Sequence, residues 1–166
     1  MKELLLGCGN RTEKDLSMGN GAFENVTRLD INPRHSPDVL WDLIVHPLPF
    51  KDEEFDEIHA YEVLEHLGSQ GDSDFFFAEF TEYARILKPN GVLFASVPDI
   101  HSPWAWGDPG HRRIINHETL IFLDQTYYWQ VGETSMTDYR NIYKADLRLI
   151  FEQVANGKFY FALQKN

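Results

Sequence analysis

A strand, a helix and a second strand follow one another in the middle of the chain, and this unit limits the possible folds most. Residues 55–60 and 91–97 have the composition of buried strands. The segment 72–88 between them repeats apolar residues at helical spacing, with Asp72 or Ser73 as the candidate N-cap and a Lys-Pro-Asn-Gly stop. Such a unit joins parallel strands by a right-handed crossover, so the sequence predicts an α/β protein.

Further strand-like runs flank this unit. Three of them precede it, at residues 3–6, 25–30 and 38–41. Two more, at 145–154 and 158–164, are joined through an Asn-Gly dipeptide that favours a type I′ hairpin turn. The pattern predicts a single domain over residues 1–166, with a mostly parallel sheet that ends in an antiparallel hairpin. Residues 98–144 carry one predicted helix, at 117–126, and are too long for a plain connection, which suggests a lid or substrate-binding insertion.

Composition excludes some functions. The formal net charge of −11 makes nucleic acid an unlikely partner, because phosphate contacts need clustered Lys and Arg. The N-terminal apolar run is too short for a signal peptide, and no run reaches the length of a membrane span. The single cysteine allows no intrachain disulfide. We therefore expect a cytoplasmic protein that does not bind membranes.

Polar residues suited to a nucleotide-like ligand follow the first strands. Gly7 and Gly9 come directly after the first apolar run, at the carboxyl end where open α/β sheets bind such ligands. Asp30 ends the second strand about 20 residues later, where a carboxylate reaches ribose hydroxyls. Asp42 follows the third strand and is placed to accept from an adenine amino group. Position 12 is Thr, so the third glycine of the NAD fingerprint is missing, which disfavours a nucleotide- or NAD-binding domain.

Six motifs in order resemble the S-adenosylmethionine (SAM)-dependent methyltransferases with the Rossmann-like fold, in particular the type 11 branch. They are "LLLGCGN", "VTRLDINP", "SPDVLWDL", "HPLPFKDEEFDEIHAYEVLEHL", "YARILKPNGVLFASVPD" and "GDPGHRRIINHETLIFL". The resemblance implies a seven-stranded sheet with helices on both faces and SAM as the cofactor. It implies these cofactor-binding residues: Gly7, Cys8, Gly9 and Asn10 for methionine, Asp30 for ribose, Ile31, Asp42 and Leu43 for adenine, and Tyr61 and Glu62 near the amino and methyl groups.

The chain departs from the family pattern in three places, one of which is that a helix after the glycines can be two turns at most before Gly19-Asn20-Gly21. The family commonly has an acidic residue two positions before the first glycine, where this chain has Leu5. The chain also starts at the first strand, without the N-terminal helices that often cover the cleft. These departures favour a second hypothesis, in which the protein is a non-catalytic SAM-binding subunit that completes an oligomer, and they make a homo-oligomer possible.

Candidate catalytic groups follow the fourth and fifth strands. Glu62, Glu65 and His66 share one face of a helical turn, and His101 and His111 lie in the next polar segment. His66, His101 and His111 are the candidates for a general base, because histidine titrates near working pH. His66 and Glu65 are alternatively structural groups that hold the end of the strand.

An alternative hypothesis is that the same residues bind a divalent metal ion. With His101 or His111, they resemble the cation site of metal-assisted O-methyltransferases of ubiquinone synthesis and of small-RNA 3′ ends, for which Mg²⁺ or Mn²⁺ is suitable. The sequence favours the metal-free case, because no fourth ligand is fixed by spacing.

The acceptor is less well defined. Trp104 and Trp106 are candidates for stacking on a flat or sugar acceptor, or for core residues beneath a lid. Arg112 and Arg113 are candidates for binding a phosphate or carboxylate of the acceptor, or a solvated pair. We expect methyl transfer to a small-molecule or glycan-like acceptor, at oxygen.

Overall fold

A computed structural model of the protein describes residues 1–17, 19 and 21–166. Its seven strands form one sheet in the order β3-β2-β1-β4-β5-β7-β6. The strands are β1 (Glu3–Leu6), β2 (Val26–Asp30), β3 (Val39–Leu40), β4 (Phe55–Tyr61), β5 (Leu87–Pro98), β6 (Leu147–Ala155) and β7 (Lys158–Lys165). Strand β7 runs antiparallel to both of its neighbours, β5 and β6, and the other six strands run parallel to one another. The predicted fold class, a Rossmann-like mostly parallel sheet with a terminal hairpin, is confirmed.

The helices are α1 (Ser73–Ile86), α2 (Pro103–Gly107) and α3 (His117–Leu120). Helix α1 begins where the sequence predicts, because the Asp72 carboxylate accepts from the backbone N–H of Phe75. The helix predicted over 117–126 is shorter: α3 passes into a 3-10 turn that ends at Leu123. The hairpin turn has positive φ at Asn156 (54°) and Gly157 (74°), as a type I′ turn requires.

Two hydrophobic clusters lie on opposite faces of the sheet. The larger one packs α1 and the α3 region against the strands, through residues such as Phe80 and Leu120. The smaller one includes Leu5 and Phe94 and is covered by Leu16 and Phe23, which belong to the segment between β1 and β2. Helices were expected on both faces, but the described part of this covering segment contains none. Its polar, glycine-containing sequence explains the difference, since such residues favour turns over helix.

Every helix in the described ranges is too short or too polar to cross a lipid bilayer.

Candidate active site

The predicted cofactor residues meet at one edge of the sheet. Strands β2, β1, β4 and β5 are neighbours and run parallel, so their carboxyl ends lie side by side. Asp30 ends β2, the glycine turn follows β1, and Glu62 follows β4. Ligands of open α/β sheets bind at this edge.

The glycine turn brings the ends of β1 and β4 into close contact. Gly7 and Gly9 have φ values of +56° and +48°, which side chains disfavour. A Cβ at Gly7 would lie 2.3 Å from Cγ2 of Val63, whereas a Cβ at Gly9 would meet no atom of the described residues within 4 Å. The Cys8 side chain is buried in the smaller core, so Cys8 offers a ligand only its backbone. Gly7 therefore allows the ends of β1 and β4 to approach each other closely. Gly9 leaves open space beside them.

The Asp30 carboxylate is fixed by two backbone amides. The N–H of Gly9 donates to Oδ2 at 2.9 Å, and the N–H of Asn32 donates to Oδ1 at 2.8 Å. Each carboxylate oxygen has a second lone pair that can accept from a hydroxyl. Asp30 thus couples the glycine turn to the position predicted for the ribose.

The residues predicted for adenine lie beyond Asp30. Ile31 is 63% exposed, as a residue that lines an adenine requires. Oδ1 of Asp42 accepts from the N–H of Ile44 at 3.1 Å. The Leu43 side chain lies in the larger core, so only its backbone is available to a ligand. Asn10, on the other side, contacts Nδ1 of His35 through Oδ1 at 3.2 Å.

A pocket of about 550 Å³, which we call the glycine-turn pocket, is lined by residues 7–15 and Tyr61. The Tyr61 ring lines this pocket, but its hydroxyl donates to the Leu16 carbonyl at 2.9 Å and lies 2.8 Å from Nδ1 of His59. Burial also raises the pKa of this hydroxyl. Tyr61 can therefore contact a ligand with its ring, while its hydroxyl holds the neighbouring segment.

Glu62 has a left-handed backbone conformation, with φ of +57°. This conformation costs about 1–2 kcal/mol for a residue with a side chain. Two contacts with Ser96 maintain it: the Glu62 N–H donates to the Ser96 carbonyl at 2.8 Å, and the Ser96 hydroxyl donates to Oε1 at 2.9 Å. Strain of this kind concentrates at functional sites. It directs Glu62 toward a second pocket rather than along the strand.

This second pocket, of about 330 Å³, contains two of the three predicted histidines, and we call it the histidine pocket. The rings of His66 and His111 are perpendicular, with centroids 4.7 Å apart. His101 is exposed on the turn after β5 and does not line the pocket. The lining residues are Glu62, Glu65, His66, Pro98, Ser102, Trp104, Asp108, His111, Asn156, Gly157 and Lys158.

Backbone carbonyls fix the tautomers of both histidines. Nδ1 of His66 lies 3.0 Å from the Gly110 carbonyl, and Nδ1 of His111 lies 2.8 Å from the Trp104 carbonyl. A carbonyl only accepts, so each Nδ1 carries a hydrogen and each Nε2 of a neutral ring keeps its lone pair. The two Nε2 atoms lie 4.0 Å and 3.9 Å from Oε1 of Glu65.

The Glu65 carboxylate is buried, and no hydrogen bond from a described residue compensates for its loss of contact with water. Glu65 is 2% exposed, and neither of its oxygens has a hydrogen-bond partner among the residues that the structure describes. Burial raises its pKa to about 8, and the nearby charge of Glu62 acts in the same direction. One ligand atom each from Glu65, His66 and His111 lie within 4.8 Å of one another, the spacing of a possible metal site. Oδ2 of Asp108 lies 3.8 Å from Nε2 of His111.

Comparison with known families identifies the domain. The sequence profile described as "Methyltransferase domain" matches residues 4–95, more than half of the chain. The protein belongs to this methyltransferase family. The match includes the glycine turn, Asp30, Glu62 and the turn that carries His66, but it ends before His111. No curated protein matches the chain.

Solved structures with the same fold include methyltransferases. A SAM-dependent methyltransferase from Archaeoglobus fulgidus is 14% identical, with a TM-score of 0.59 over 99% of this chain and 86% of that chain. The N-methyltransferase NodS from Bradyrhizobium japonicum is 15% identical, with a TM-score of 0.54 over 99% of this chain and 85% of that chain. A third similar structure is a complex of the Haloferax volcanii Trm112 methyltransferase activator with a methyltransferase. It is 16% identical, with a TM-score of 0.59 over 99% of this chain and 82% of that chain. At these identities the likeness establishes the fold.

The structure decides two alternatives that concern the acceptor. Arg113 of this methyltransferase is buried; its Nε donates to the Leu64 carbonyl at 2.8 Å and its guanidinium pairs with Glu79 at 2.6 Å. Arg113 therefore holds the carbonyl of Leu64 and is not solvated, whereas Arg112 is exposed. Trp104 and Trp106 are 69% and 67% exposed, so they are not core residues beneath a lid.

Sequence reasoning missed two groups near the site. Asp108 stands three residues before His111, a spacing that brings side chains together in a tight turn. Lys14 lies below the glycine-turn pocket with a side chain that is 2% exposed. Its partner Glu57 and the neighbouring His59, which contacts Glu57, alternate with Ile58 along β4, and this period of two in a buried strand was the available signal.

Proposed function

We propose that this methyltransferase transfers the methyl group of SAM to an oxygen of a small or glycan-like acceptor that binds in the histidine pocket. The observation that carries the proposal is the order of groups along the sheet edge. Asp30, the glycine turn, Glu62 and the histidine pocket follow one another from β2 to β5. This order matches the sequence of ribose, methionine, methyl group and acceptor in a SAM complex.

The cofactor contacts follow from this order. Asp30 accepts from the ribose hydroxyls, while Ile31 and Asp42 contact the adenine. The backbone of Gly7, Cys8 and Gly9, with Asn10 beside it, lies against the methionine part. Glu62 takes the place of the acidic residue that is Leu5 here, and its carboxylate binds the methionine amino group. The methyl group then faces the histidine pocket.

The reaction is an in-line displacement. The bond between the methyl carbon and sulfur breaks, a bond between that carbon and the acceptor oxygen forms, and the sulfonium becomes the neutral thioether of S-adenosylhomocysteine (SAH). The acceptor hydroxyl loses its proton to Nε2 of His66 or His111, which releases it to solvent. Most of the rate enhancement comes from alignment of the two reactants.

The size and lining of the histidine pocket favour a compact polar acceptor. Its volume of about 330 Å³ is at the lower end for small-molecule sites. Trp104 presents an exposed aromatic face at the rim, and Ser102 and Asp108 offer hydrogen-bond partners to hydroxyl groups. Residues 98–144 contribute Ser102, Trp104, Asp108 and His111, which supports their role as an acceptor-binding insertion.

A metal-assisted transfer is the second candidate, and the unpartnered Glu65 carboxylate favours it. Glu65, His66 and His111 offer one oxygen and two nitrogens, a donor set that suits Mn²⁺ or Mg²⁺. The Nδ1 contacts with backbone carbonyls orient both rings as in known metal sites. A bound cation would supply Lewis-acid activation of the acceptor hydroxyl. An Nε2 atom that binds a cation cannot also accept a proton, so the two mechanisms are mutually exclusive at each ring.

Other expectations form part of the same proposal. The net charge of −11 supports a small molecule rather than nucleic acid as the partner. A cytoplasmic location is consistent with the single cysteine. A partner subunit remains compatible, because one similar structure is a methyltransferase in complex with an activator protein.

A labelling experiment tests the proposed function. The protein is incubated with methyl-labelled SAM and panels of hydroxyl, carboxyl and amine acceptors, with the His117→Ala variant as a control outside the pocket. We expect label in methyl ethers or esters and equal activity of the control. Label found only in methylated amines would contradict transfer to oxygen. SAH binding without turnover of any acceptor would favour the non-catalytic subunit.

A further inference from the structure

A buried charge cluster lies behind the glycine turn, on the side where the described residues form no helix. The Lys14 ammonium contacts the carboxylates of Glu3 on β1 and Glu57 on β4, the latter at 3.1 Å. The exposed fractions of these side chains are 2%, 0% and 9%. Removing one member of such a buried ion pair leaves the charge of the other member uncompensated.

His59 and Tyr61 extend the cluster along β4. His59, which is 0% exposed, contacts Oε2 of Glu57 through Nε2 at 3.0 Å and the Tyr61 hydroxyl through Nδ1 at 2.8 Å. The Tyr61 hydroxyl donates its single hydrogen to the Leu16 carbonyl and accepts from the Leu16 N–H at 3.2 Å. All these contacts are satisfied when both ring nitrogens of His59 carry hydrogen. The cluster contains the carboxylates of Glu3 and Glu57 and the ammonium of Lys14.

The cluster differs in kind from the histidine pocket. Glu3, Glu57 and His59 also lie close enough together to hold a metal ion. Here, however, the Lys14 ammonium already contacts both carboxylates, and His59 has a partner at each ring nitrogen. The arrangement is a closed ion network.

The cluster fastens the segment that continues from the glycine turn. Lys14 and Leu16 lie five and seven residues after Gly9, and the cluster ties both to the central strands. The backbone N–H of Lys14 also donates to the Gly21 carbonyl at 2.9 Å, so the segment returns on itself at that point. The Arg11 guanidinium lies 4.8 Å from the centroid of the Tyr61 ring, within the lining of the glycine-turn pocket.

We propose that Lys14 and Tyr61 are positioning residues for the cofactor: the network with Glu3, Glu57 and His59 holds the wall of the glycine-turn pocket in its binding conformation. The role in cofactor binding rests on the proposed function. The positioning of the segment does not.

The test compares Lys14→Met with Lys88→Met. Lys88 is a matched control, because its ammonium also pairs with a β4 carboxylate, Asp56 at 2.9 Å, but far from the glycine turn. SAH binding is measured by calorimetry at a temperature at which each variant is folded. For Lys14→Met we expect the Kd to rise by at least about tenfold, which corresponds to about 1.4 kcal/mol. Lys88→Met should leave the Kd unchanged, and Lys14→Arg should restore most of the affinity.

Hydrogen exchange of the unliganded protein separates this inference from the proposed function. Lys14→Met should speed exchange at residues 8–17 and leave α1 unchanged, even if the wild-type protein binds no SAH. Failure of wild-type binding alone would therefore overturn the proposed function and not the positioning role.

Tyr61→Phe is the second variant if Lys14→Met does not fold, because it removes only the hydroxyl that holds Leu16. It should give the same local increase in exchange and weaker SAH binding. Wild-type exchange and affinity in a folded Lys14→Met or Tyr61→Phe protein would overturn the proposal. Equal weakening by Lys88→Met would also overturn it, since the effect would then reflect general loss of stability.

Discussion

Nε2 of His111 lies 3.9 Å from Oε1 of Glu65, a carboxylate whose oxygens accept no hydrogen bond from any described residue. A buried polar group in this condition costs about 1–3 kcal/mol relative to a paired one, and more if it is charged. Selection retains such a cost most readily where a ligand removes it. This relationship supports the proposal that the acceptor, or a cation, binds in the histidine pocket.

Cation binding by this pocket can be measured without activity. If Glu65, His66 and His111 form a metal site, Mn²⁺ should bind the wild-type protein in a calorimetric titration, and Glu65→Gln should abolish binding. His117→Ala is the control, since His117 pairs with Glu152 outside the pocket. Equal Mn²⁺ binding by wild type and Glu65→Gln, or none by either, would rule out the site. Methyl transfer should then survive EDTA, which leaves the histidines as bases.

Asp30→Ala should weaken SAH binding by roughly 10- to 150-fold, because a pair of charge-assisted hydrogen bonds is worth about 1.5–3 kcal/mol. Asp38→Ala is a suitable control: Asp38 also accepts from a backbone N–H, that of Arg28 at 2.8 Å, but lies outside both pockets. Calorimetry measures both variants. An unchanged Kd for Asp30→Ala would show that Asp30 does not bind the ribose.

The two glycines of the turn should respond differently to alanine. Both have positive φ, which costs about 1–2 kcal/mol for alanine. Gly7→Ala should lose about 1–3 kcal/mol more, because its Cβ would overlap Val63. Gly9→Ala should keep more stability but bind SAH weakly, since its Cβ projects into the space of the cofactor. Urea unfolding and calorimetry compare the pair, and equal stability of the two variants would contradict the close approach at Gly7.

Acid should remove part of the stability through the Lys14 cluster. The hydrogen bond from His59 lowers the pKa of Glu57, and Lys14 lowers it further against the effect of burial. The pKa of Glu3 is also lowered: burial raises it, but Lys14 and the backbone amides of Glu24 and Asn25 outweigh burial.

In the unfolded chain these two carboxylates bind protons near pH 4.5, the ordinary value for Glu. Since their folded pKa values are lower, their stabilisation is complete above that pH and is lost as the pH falls through the folded values. Urea unfolding between pH 7 and pH 3 measures this slope. Glu57→Gln should reduce it, and an identical slope in the variant would contradict the coupling.

The features at the carboxyl edge of the sheet, and the terminal hairpin, could be predicted from local sequence. The glycine turn, Asp30 and the Asn156-Gly157 hairpin each follow from backbone requirements within a few residues, so the pattern was sufficient. Helix α1 was predictable for the same reason, since its cap and apolar face are local.

Groups that depend on contacts distant in sequence were not predictable. The 45 positions that separate His66 from His111 include the turn at Gly110, and nothing local fixes its path. Lys14 contacts Glu57 across 43 positions of sequence. A lysine in a polar segment is expected to be solvated, whereas this one belongs to a buried ion network. The described residues between β1 and β2 form an irregular segment for the same reason, since the Lys14 cluster joins that segment to distant strand residues.

Calorimetric titration of the wild-type protein with SAM, SAH and NAD tests the central claim most directly. Asp30, the open space at Gly9 and the absence of a third glycine in the turn predict that SAM and SAH bind and that NAD binds far more weakly. NAD binding tighter than both other ligands, or no binding of SAM and SAH, would contradict the account.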